Sequence, residues 1–429
     1  MAETPRIGCE NIRDESWLKS LSHRQVYIET YGCRYNFGDT AKLVEILKYH
    51  GSSLVDSPDL ADAIVINTCT VVGPTERRML RRLSLFRDYD LYVTGCMPSV
   101  QRGSIFAVCS PTIIPPDSIQ DAYRDIGTIS TGCSIGIVQI AQGCSGRCSY
   151  CITRKARGPL KSFPKNEILS QVEAFSSLGT NEIQITAQDV SAWGQDTGKS
   201  FPDLLRSIGD LPGKFMIRVG MMNPATIQGN LESLIDAFQS EKIFKFAHIP
   251  VQSGSDRVLD SMKRGYTVLE FEYIVAAFKK KVPNISIATD VIVGYPDEKE
   301  EDFLETCDLI SRIRPVKVNI TRYSHRPFTG IDSGSDLPDF IKKDRSRKLN
   351  ILAEKIYSSH NVPLIGTSIP FVVTESIRSG SVMARSPEYL GIVLKEDLPV
   401  GYRGKALLKK DRKYFFIGER ISGSQENEE

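Results

Sequence analysis

The sequence predicts an α/β fold in three parts: a doubly wound α/β domain at the N-terminus, a central open barrel of six βα units, and a small antiparallel β-barrel at the C-terminus. Three observations support this prediction. Strand-like segments alternate with helical ones from residue 25 to about 330. The segment Ala63–Cys69 is apolar almost throughout, as in a parallel sheet covered on both faces. After Leu364, short β-type segments separated by turns replace the alternation.

Composition limits the class of protein. With 41% hydrophobic and 25% charged residues the chain is an ordinary globular protein, and its 429 residues allow two to four domains. A net charge of +2 predicts no polyanionic partner by itself, so a nucleic-acid site must come from local clustering. Ten cysteines without a signal peptide argue against a disulfide scaffold. No run of apolar residues is long enough to span a membrane, and we expect a cytoplasmic location.

The expected organisation has five segments. They are an N-terminal extension at 1–24, the first α/β domain at 25–130, the central barrel at 131–360, the C-terminal barrel at 361–423 and an acidic tail at 424–429. The first domain is predicted to contain strands at Val26–Cys33, Ala63–Cys69 and Asp90–Cys96, with helices at 39–51, where Asp39 is the N-cap, and at Pro74–Phe86. Residues 104–131 look irregular and are expected to join the domains, and the extension is expected to be loosely docked.

Three cysteines follow the predicted strands of the first domain. Cys33, Cys69 and Cys96 each stand at, or just after, the end of a strand. Strand C-terminal ends line the ligand crevice of such sheets, so these cysteines should meet at one edge. They could ligate an iron–sulfur cluster that keeps one open iron. A zinc site and three buried, unliganded thiols are the alternatives.

The central barrel is predicted from six strands and six helices. The strands are expected at 135–141, 182–186, 215–220, 246–251, 285–293 and 316–321, and the helices at 164–178, 201–208, 230–239, 256–263, 269–280 and 300–313. A further helix is expected at 348–359. In such barrels the functional face lies at the C-terminal ends of the strands.

A cysteine-rich loop follows the first barrel strand. Cys144, Cys148 and Cys151 have the spacing CxxxCxxC. Thiolates suit a [4Fe–4S] cluster, and three ligands would leave one iron open. Structural zinc usually needs four ligands, and the chain has no second CxxC pair. Further along the barrel, polar residues stand near successive strand ends and could hold a cofactor: Gln188, Asp189, Arg218, Gln252, Ser253 and Asp290. His248 also lies at a strand end, but we assign it no catalytic role.

The C-terminal segment predicts an OB-like barrel of five short strands, at 367–374, 381–385, 390–393, 402–409 and 414–418. A basic cluster lies at its end and contains Arg403, Lys405, Lys409, Lys410, Arg412 and Lys413 against the single acidic residue Asp411. This cluster predicts contact with an RNA backbone. The alternative is a solvated basic face.

The cysteine loop resembles the signature of the radical S-adenosylmethionine (SAM) enzymes, with Tyr150 directly before the last cysteine. The blocks that contain Cys33, Cys69 and Cys96 resemble the N-terminal domain of the methylthiotransferases within that family, and the C-terminal barrel stands where they carry a TRAM domain. The resemblance implies a radical SAM partial barrel and two [4Fe–4S] clusters. It also implies SAM as radical source and methyl donor, a low-potential electron donor and a sulfur source. We expect a monomer.

The run from Cys151 to Ser162 looks most like the archaeal and eukaryotic branch of the family. That branch methylthiolates C2 of N6-threonylcarbamoyladenosine at position 37, beside the anticodon of ANN-decoding tRNA. Arg154, Lys155 and Arg157 would face the tRNA backbone. Eukaryotic members carry a C-terminal membrane anchor that this sequence lacks, which favours the archaeal type. The alternatives are an isopentenyladenosine tRNA, a ribosomal-protein aspartate, or a non-catalytic iron–sulfur protein that binds RNA or senses redox state. Cys109 and Cys133 are expected to be structural, and Cys9 and Cys307 are given no role.

Overall fold

The computed structural model describes residues 16–127, 134–331, 334 and 336–421. The chain forms two compact units that divide near residue 128, with residues 71–74 belonging to the second. The predictions for Cys9, Cys133 and the acidic tail fall outside the described residues.

The first unit contains a parallel sheet with helices around it, which confirms the doubly wound domain. Five strands pair in the order β2-β1-β3-β4-β5, and every pair is parallel. The strands are β1 Gln25–Thr30, β2 Ser53–Leu54, β3 Ala63–Thr68, β4 Leu91–Gly95 and β5 Thr112–Ile113. The helices of this part of the chain are α1 Ser16–Leu21, α2 Arg34–Tyr49, α3 Gly73–Leu85, α4 Met97–Val100, α5 Arg102–Phe106 and α6 Pro116–Ile126.

The sequence prediction placed the start of α2 wrongly. The helix begins at Arg34, with Cys33 at the N-cap in an extended conformation, and Asp39 is buried within the helix. Asp39 is a good N-cap by residue type. The local preference is overridden because the first turn carries Asn36, whose side chain is buried and bonded to two neighbouring loops.

Two further predictions for this unit are wrong. Residues 104–126 are not an irregular joint, since they include most of α5 together with β5 and α6. β5 extends the sheet, and α6 packs on α2, where Lys42 donates a hydrogen bond to Gln120. The described end of the N-terminal extension is also ordered: Trp17 and Leu21 of α1 are almost completely buried. Burial of these large apolar side chains fixes this helix.

The second unit contains the predicted open barrel of six parallel strands. Two three-stranded sheets, β6-β9-β10 and β11-β12-β13, are linked by parallel bridges between Ile217 and Ile243 and between Met221 and His248. The strands are β6 Ile135–Gln139, β9 Glu182–Thr186, β10 Met216–Val219, β11 Phe246–His248, β12 Ser286–Val293 and β13 Lys317–Arg322, and the short pair β7 Ala141–Gln142 and β8 Lys161–Ser162 flanks the cysteine loop.

The helices of the second unit lie between or after its strands. They are α7 Thr153–Arg157, α8 Lys165–Ser177, α9 Phe201–Gly209, α10 Pro224–Ile227, α11 Leu231–Ala237, α12 Asp256–Ser261, α13 Val268–Lys281, α14 Glu300–Ile313 and α15 Asp339–Asn361. Side chains alternate along each strand. In β9, Ile183 and Ile185 join the large apolar core with the helices, whereas Glu182 and Gln184 point to the inside of the barrel.

Helix α15 starts nine residues before the predicted helix, in sequence that looked like a polar linker. Two of its charged side chains explain the difference. Arg345 is buried and paired with Glu298 at 2.5 Å, and Lys342 is buried and paired with Asp336 at 2.7 Å. Their polarity therefore does not indicate exposure, because each charge has a carboxylate partner.

The C-terminal segment forms a closed barrel in the order β14-β15-β16-β18-β17, with Val373, Ile392, Leu408 and Phe416 in its core. Its strands are β14 Ser368–Arg378, β15 Ser381–Arg385, β16 Gly391–Leu394, β17 Arg403–Asp411 and β18 Phe415–Arg420. The predicted small barrel is confirmed, with one difference: β16 and β18 pair in parallel, so the barrel is not wholly antiparallel. In the described parts of the chain, no helix is both long and apolar enough to cross a bilayer.

The C-terminal barrel closes the N-terminal end of the open barrel through Tyr389. The phenol donates a hydrogen bond of 2.6 Å to Glu182, the first residue of β9. The Tyr389 ring packs against Phe244 and Phe246, with centroid distances of 4.8 and 5.2 Å. Burial beside Glu182 raises the pKa of Tyr389 well above its ordinary value, so the residue stays a neutral donor.

Candidate functional site

The strand ends of the first unit bring Cys33, Cys69 and Cys96 to one edge. Cys69 follows β3 directly, Cys96 follows β4 directly, and Cys33 lies three residues after β1 at the N-cap of α2. The strands β1, β3 and β4 are neighbours and run in parallel, so their C-terminal ends meet. Cys33 is exposed, whereas Cys69 and Cys96 are buried, which leaves this edge open on one side.

Asn36 holds this edge together. Its Nδ2 donates to the backbone carbonyls of Tyr31 and Thr68 at 2.8 and 2.9 Å. Its Oδ1 lies 4.0 Å from the Sγ of Cys33 and 3.8 Å from that of Cys96. The sequence prediction missed Asn36. Its spacing of three from Cys33 is informative only once the helix is known to begin at Arg34.

Two glycines bring the loops close enough for the cysteines to meet. Gly32 has a φ of +111°, and a Cβ at this position would stand 3.1 Å from the Sγ of Cys69. Gly95 has a φ of +92°, and a Cβ there would collide with the carbonyl of Thr68. That carbonyl also accepts the N–H of Cys96 at 2.9 Å. A side chain at either glycine would push the cysteine loops apart.

The cysteine loop of the second unit lies between the short strands β7 and β8. The N–H of Gly146 donates to the Sγ of Cys144 at 3.2 Å, and the N–H of Cys151 donates to the carbonyl of Cys148 at 3.3 Å. A Cβ on Gly146 would stand 3.2 Å from the Sγ of Cys144 and 3.8 Å from that of Cys148. The first two sulfurs of the motif therefore lie on the same side of the loop.

Burial and a nearby guanidinium define the environment of the loop sulfurs. Burial raises the pKa of the Cys144 thiol to about 11. Tyr150 lies within the motif, and burial raises its pKa as well. On the other side, Arg264 donates from Nη1 to the Sγ of Cys148 at 3.2 Å. Arg264 was missed from sequence, because it lies 116 residues away.

The donor chemistry of both cysteine sets fits an iron–sulfur cluster. Each set supplies three thiols, and thiolate is the ligand that such clusters take. Within the described ranges, no three His, Cys, Asp or Glu side chains are grouped closely enough to hold one metal ion.

Two of the six side chains predicted to contact a cofactor instead form hydrogen bonds to other residues of the protein. The carboxylate of Asp189 is buried and accepts hydrogen bonds from Ser191, from the N–H of Asn223 and from Thr226, and burial raises its pKa. The hydroxyl of Ser253 is buried and accepts the N–H of Ser255 at 3.2 Å. These side chains shape the loops on which they lie.

The other four predicted contacts remain candidates. The Oε1 atoms of Gln188 and Gln252 are buried and have no hydrogen-bond partner among the residues that the structure describes, and Gln252 has a φ of +73°. Such atoms are costly unless a ligand donates to them. Asp290 accepts hydrogen bonds from His248 at 2.8 Å and from Asn319 at 2.6 Å. Burial alone would raise the pKa of Asp290, but these partners hold it below its ordinary value. Arg218 lies in β10 above the ring of Phe246.

The predicted RNA contacts differ in exposure. Arg154 and Lys155 are exposed on α7, directly after the cysteine loop, whereas Arg157 is buried. In the C-terminal barrel the exposed members are Arg403, Lys405, Lys409, Lys410 and Arg412. Lys409 is paired with Glu419 at 2.9 Å, and Lys413 is paired with Glu354 of α15 at 2.6 Å.

Comparison with known proteins agrees with this architecture. The Radical SAM superfamily model matches residues 138–310, which include the cysteine loop. The Uncharacterized protein family UPF0004 model matches residues 25–112, which include Cys33, Cys69 and Cys96. A probable threonylcarbamoyladenosine tRNA methylthiotransferase from Methanothermobacter thermautotrophicus is 37% identical over 88% of this chain and 96% of the relative. This chain belongs to that methylthiotransferase family.

Other relatives extend the family across two domains of life. A probable threonylcarbamoyladenosine tRNA methylthiotransferase from Pyrococcus horikoshii is 36% identical over 93% of this methylthiotransferase and the whole of the relative. The protein of that name from Danio rerio is 29% identical over 91% of this chain and 78% of its own. Among solved structures, the radical SAM methyltransferase TsrM from Kitasatospora setae has a TM-score of 0.52 at 13% identity, covering 70% of this chain and 75% of that one. That likeness concerns the fold alone.

Proposed function

We propose that this methylthiotransferase replaces the C2 hydrogen of N6-threonylcarbamoyladenosine at position 37 of tRNA with a methylthio group. The observation that supports the substrate is the near full-length identity of 36–37% to archaeal relatives named for this activity. The basic residues Arg154 and Lys155, exposed beside the cysteine loop, agree with a polyanionic substrate. A protein substrate would need no basic rim there.

The chain is proposed to hold two [4Fe–4S] clusters. Cys144, Cys148 and Cys151 would hold the one that, when bound, supplies the electron for reductive cleavage of SAM to methionine and a 5′-deoxyadenosyl radical. Cys33, Cys69 and Cys96 would hold the other, which supplies sulfur. An aromatic C–H is far too weak an acid for base catalysis, and the reaction therefore needs a radical. An electron of low potential is within the range of such clusters, which reaches roughly −700 mV.

The residues of the open barrel are proposed to bind and orient SAM. The unpaired amide oxygens of Gln188 and Gln252 would accept hydrogen bonds from the ammonium or the ribose. Asp290, kept ionised by His248 and Asn319, would face a cationic group. Arg218 lies over Phe246, in the part of the barrel that Tyr389 closes, so its predicted contact with SAM is not part of the proposal. Asp189 would act indirectly, by fixing the loop that carries Gln188.

Binding of tRNA is proposed to use Arg154 and Lys155 beside the cysteine loop together with the exposed basic residues of the C-terminal barrel. The proposed substrate is a tRNA with an ANN-decoding anticodon, and the enzyme is proposed to be a monomer. The proposal also requires an external low-potential electron donor and a separate sulfur source.

The decisive experiment compares anaerobically purified wild type with the Cys144/Cys148/Cys151 triple alanine variant. About eight iron atoms per chain falling to about four, with sulfide falling in parallel, would agree with two clusters. About four falling to zero would refute the N-terminal cluster. Cys148→Ala should also abolish 5′-deoxyadenosine formation, and its persistence would refute the radical assignment.

A second pair of measurements tests the proposed substrate and the separate roles of the two proposed clusters. Cys69→Ala should still cleave SAM but should form no methylthiolated nucleoside. Mass spectrometry of nucleosides from tRNA incubated with wild type should show the threonylcarbamoyladenosine product. A product found on isopentenyladenosine or on a ribosomal protein would overturn the proposed substrate.

A further inference from the structure

A cavity of about 250 Å³ lies where the C-terminal barrel meets the N-terminal end of the open barrel. Met216 and Phe244 line it from the open barrel, and residues of β14, β15 and β17 line it from the C-terminal barrel. At its wall the N–H of Lys245 donates to the carbonyl of Pro387 at 2.7 Å, which joins the two barrels. Pockets for drug-sized ligands measure roughly 300–1,000 Å³. The size of this cavity therefore suits a single base or phosphate group and not a dinucleotide.

The strand register places two arginines on either side of an apolar residue in the cavity. Val372 of β14 is opposite Arg385 of β15 on one side and Arg403 of β17 on the other. Residues that are directly opposite on neighbouring strands carry their side chains on the same face. Val372 packs with the open-barrel residues of the cavity, so this face points to the open barrel. Two residues along, Pro370 and Lys405 form the next pair on the same face.

The cavity carries positive charge without an acidic counterpart. Arg385, Arg403 and Lys405 line it, and no acidic side chain is among the described residues that do so. Within the described part of the chain neither arginine forms an ion pair, in contrast to Arg420 of the same barrel, which is paired with Glu396. The Nε of Arg385 is buried and has no hydrogen-bond acceptor among the described residues. Such a donor is costly, and an acceptor bound in the cavity would remove that cost.

Water alone does not account for this combination. It would accept from Arg385, but it would not balance the two guanidinium charges, and it would face the apolar floor formed by Met216, Phe244 and Val372. A nucleotide supplies both missing parts. Its phosphate accepts paired hydrogen bonds from guanidinium groups, and its base has an apolar π-face.

We propose that this cavity holds one unpaired nucleotide of the tRNA, with its phosphate on Arg385 and Arg403 and its base against the apolar floor. The inference rests on the proposed function, in that the substrate is tRNA. β17 continues from Arg403 at the cavity to the exposed Lys410, which is one of the proposed RNA contacts. An RNA backbone that follows this strand would reach the cavity, which favours a nucleotide of RNA over a free one.

The nucleotide in the cavity is not the one that is modified. The cavity lies at the N-terminal ends of the open-barrel strands, whereas the cysteine loop follows the C-terminal end of β6. The nucleotide must also be unpaired, since only a base without a partner strand is free to enter a pocket. The site would therefore add a preference for single-stranded RNA to the backbone contacts of the C-terminal barrel.

The test measures equilibrium binding of two labelled RNAs to the full-length chain, a single strand of about ten nucleotides and the duplex of the same sequence. Arg385→Gln should weaken binding of the single strand at least about tenfold, because a charge-assisted hydrogen bond to phosphate is lost. Binding of the duplex should stay close to that of wild type. Arg378→Gln is the matched control, since Arg378 is exposed at the end of β14 and does not line the cavity. It should change the affinity for both RNAs by the same factor.

Equal loss of affinity for both RNAs in Arg385→Gln would overturn the proposal, and so would unchanged binding. The guanidinium of Arg385 lies 4.6 Å from the ring centroid of Tyr389, so the thermal melting of this variant is compared with wild type. If it is unfolded, Arg403→Gln, on the exposed rim, decides by the same criterion.

Two further measurements separate this inference from the proposed function. Binding of adenosine monophosphate by wild type, with single-strand binding unchanged in both variants, would assign the cavity to a free nucleotide and overturn the proposal. A wild type that binds no ANN-decoding tRNA would refute the proposed substrate and the cavity site with it. Wild-type binding of that tRNA with unchanged binding in both variants would refute the cavity site alone.

Discussion

Replacement of Asn36 by aspartate should remove the N-terminal cluster while leaving the fold of the first unit in place. The two side chains have the same shape, but the new carboxylate would stand about 4 Å from the sulfurs of Cys33 and Cys96. At that separation, and at an effective dielectric constant of about 20, two unit negative charges repel by about 4 kcal/mol. The change also removes the donor to the Tyr31 and Thr68 carbonyls, which costs about 1–3 kcal/mol for each buried group left unpaired.

A penalty of about 4 kcal/mol lowers cluster affinity about a thousandfold, since about 1.4 kcal/mol corresponds to a factor of ten. The assay is iron and sulfide content after anaerobic reconstitution, in a background where Cys144, Cys148 and Cys151 are alanine. Asn36→Asp should fall from about four iron atoms toward zero. Asn36→Ala, which loses the same donor without adding charge, should retain more iron. Equal iron in Asn36→Asp and the parent would refute the placement of this amide against the cysteine sulfurs.

Three further predictions concern the strand edge, an ion pair and the RNA surface. Gly95 has a φ of +92° and lies against the Thr68 carbonyl, so Gly95→Ala should lower the free energy of unfolding by at least about 1–3 kcal/mol. Gly103 lies in a helix with open space around it, so Gly103→Ala should raise the free energy of unfolding by about 0.4–1 kcal/mol. Equal urea midpoints for the two variants would contradict this prediction. Burial acts to raise the pKa of Glu29, but hydrogen bonds from Arg82 and two tyrosines hold it below its ordinary value. The stability advantage of wild type over Glu29→Gln should therefore be full at pH 7 and disappear as the pH falls below about 4.3, and a constant difference down to pH 3 would refute the pairing. When tRNA binding is measured over a series of salt concentrations, Lys410→Ala should reduce the slope of the logarithm of the binding constant against the logarithm of salt concentration by about one. Lys413 is already paired with Glu354, so Lys413→Ala should change this slope less. Equal slopes for the two variants would contradict a direct contact of Lys410 with the RNA backbone.

The sequence was sufficient for the topology because the strands are apolar, short and regularly separated. β9 and α14 lie where the pattern predicts them, residue for residue. The positions of the six cysteines after strands also follow from sequence, since strand ends can be read from the apolar runs. The start of α2 could not be read in this way, because the N-cap is Cys33, whose side chain makes no capping hydrogen bond.

Other features depend on contacts distant in sequence. Arg264 becomes informative only when folding brings it to Cys148, and nothing in the local run around it indicates a cluster. Asp189 and Ser253 look like ligand contacts by residue type, yet the fold uses both for its own loops. The buried ion pairs of α15 were hidden for the same reason, as charge in a sequence usually indicates solvent.

Closure of the open barrel by Tyr389 changes what deletion of the C-terminal barrel would mean. Removal of the chain from Leu364 would take away the basic residues that are proposed to contact RNA. It would also expose Phe244 and Phe246 and remove the hydrogen bond that the Tyr389 phenol donates to the buried carboxylate of Glu182. Loss of activity in such a variant would then not by itself demonstrate an RNA contact, because strand β9 would be damaged as well. An OB-like domain taken from another protein could therefore not restore activity through affinity for RNA alone. It would also have to supply an aromatic residue that packs on Phe244 and Phe246 and closes the N-terminal end of the open barrel.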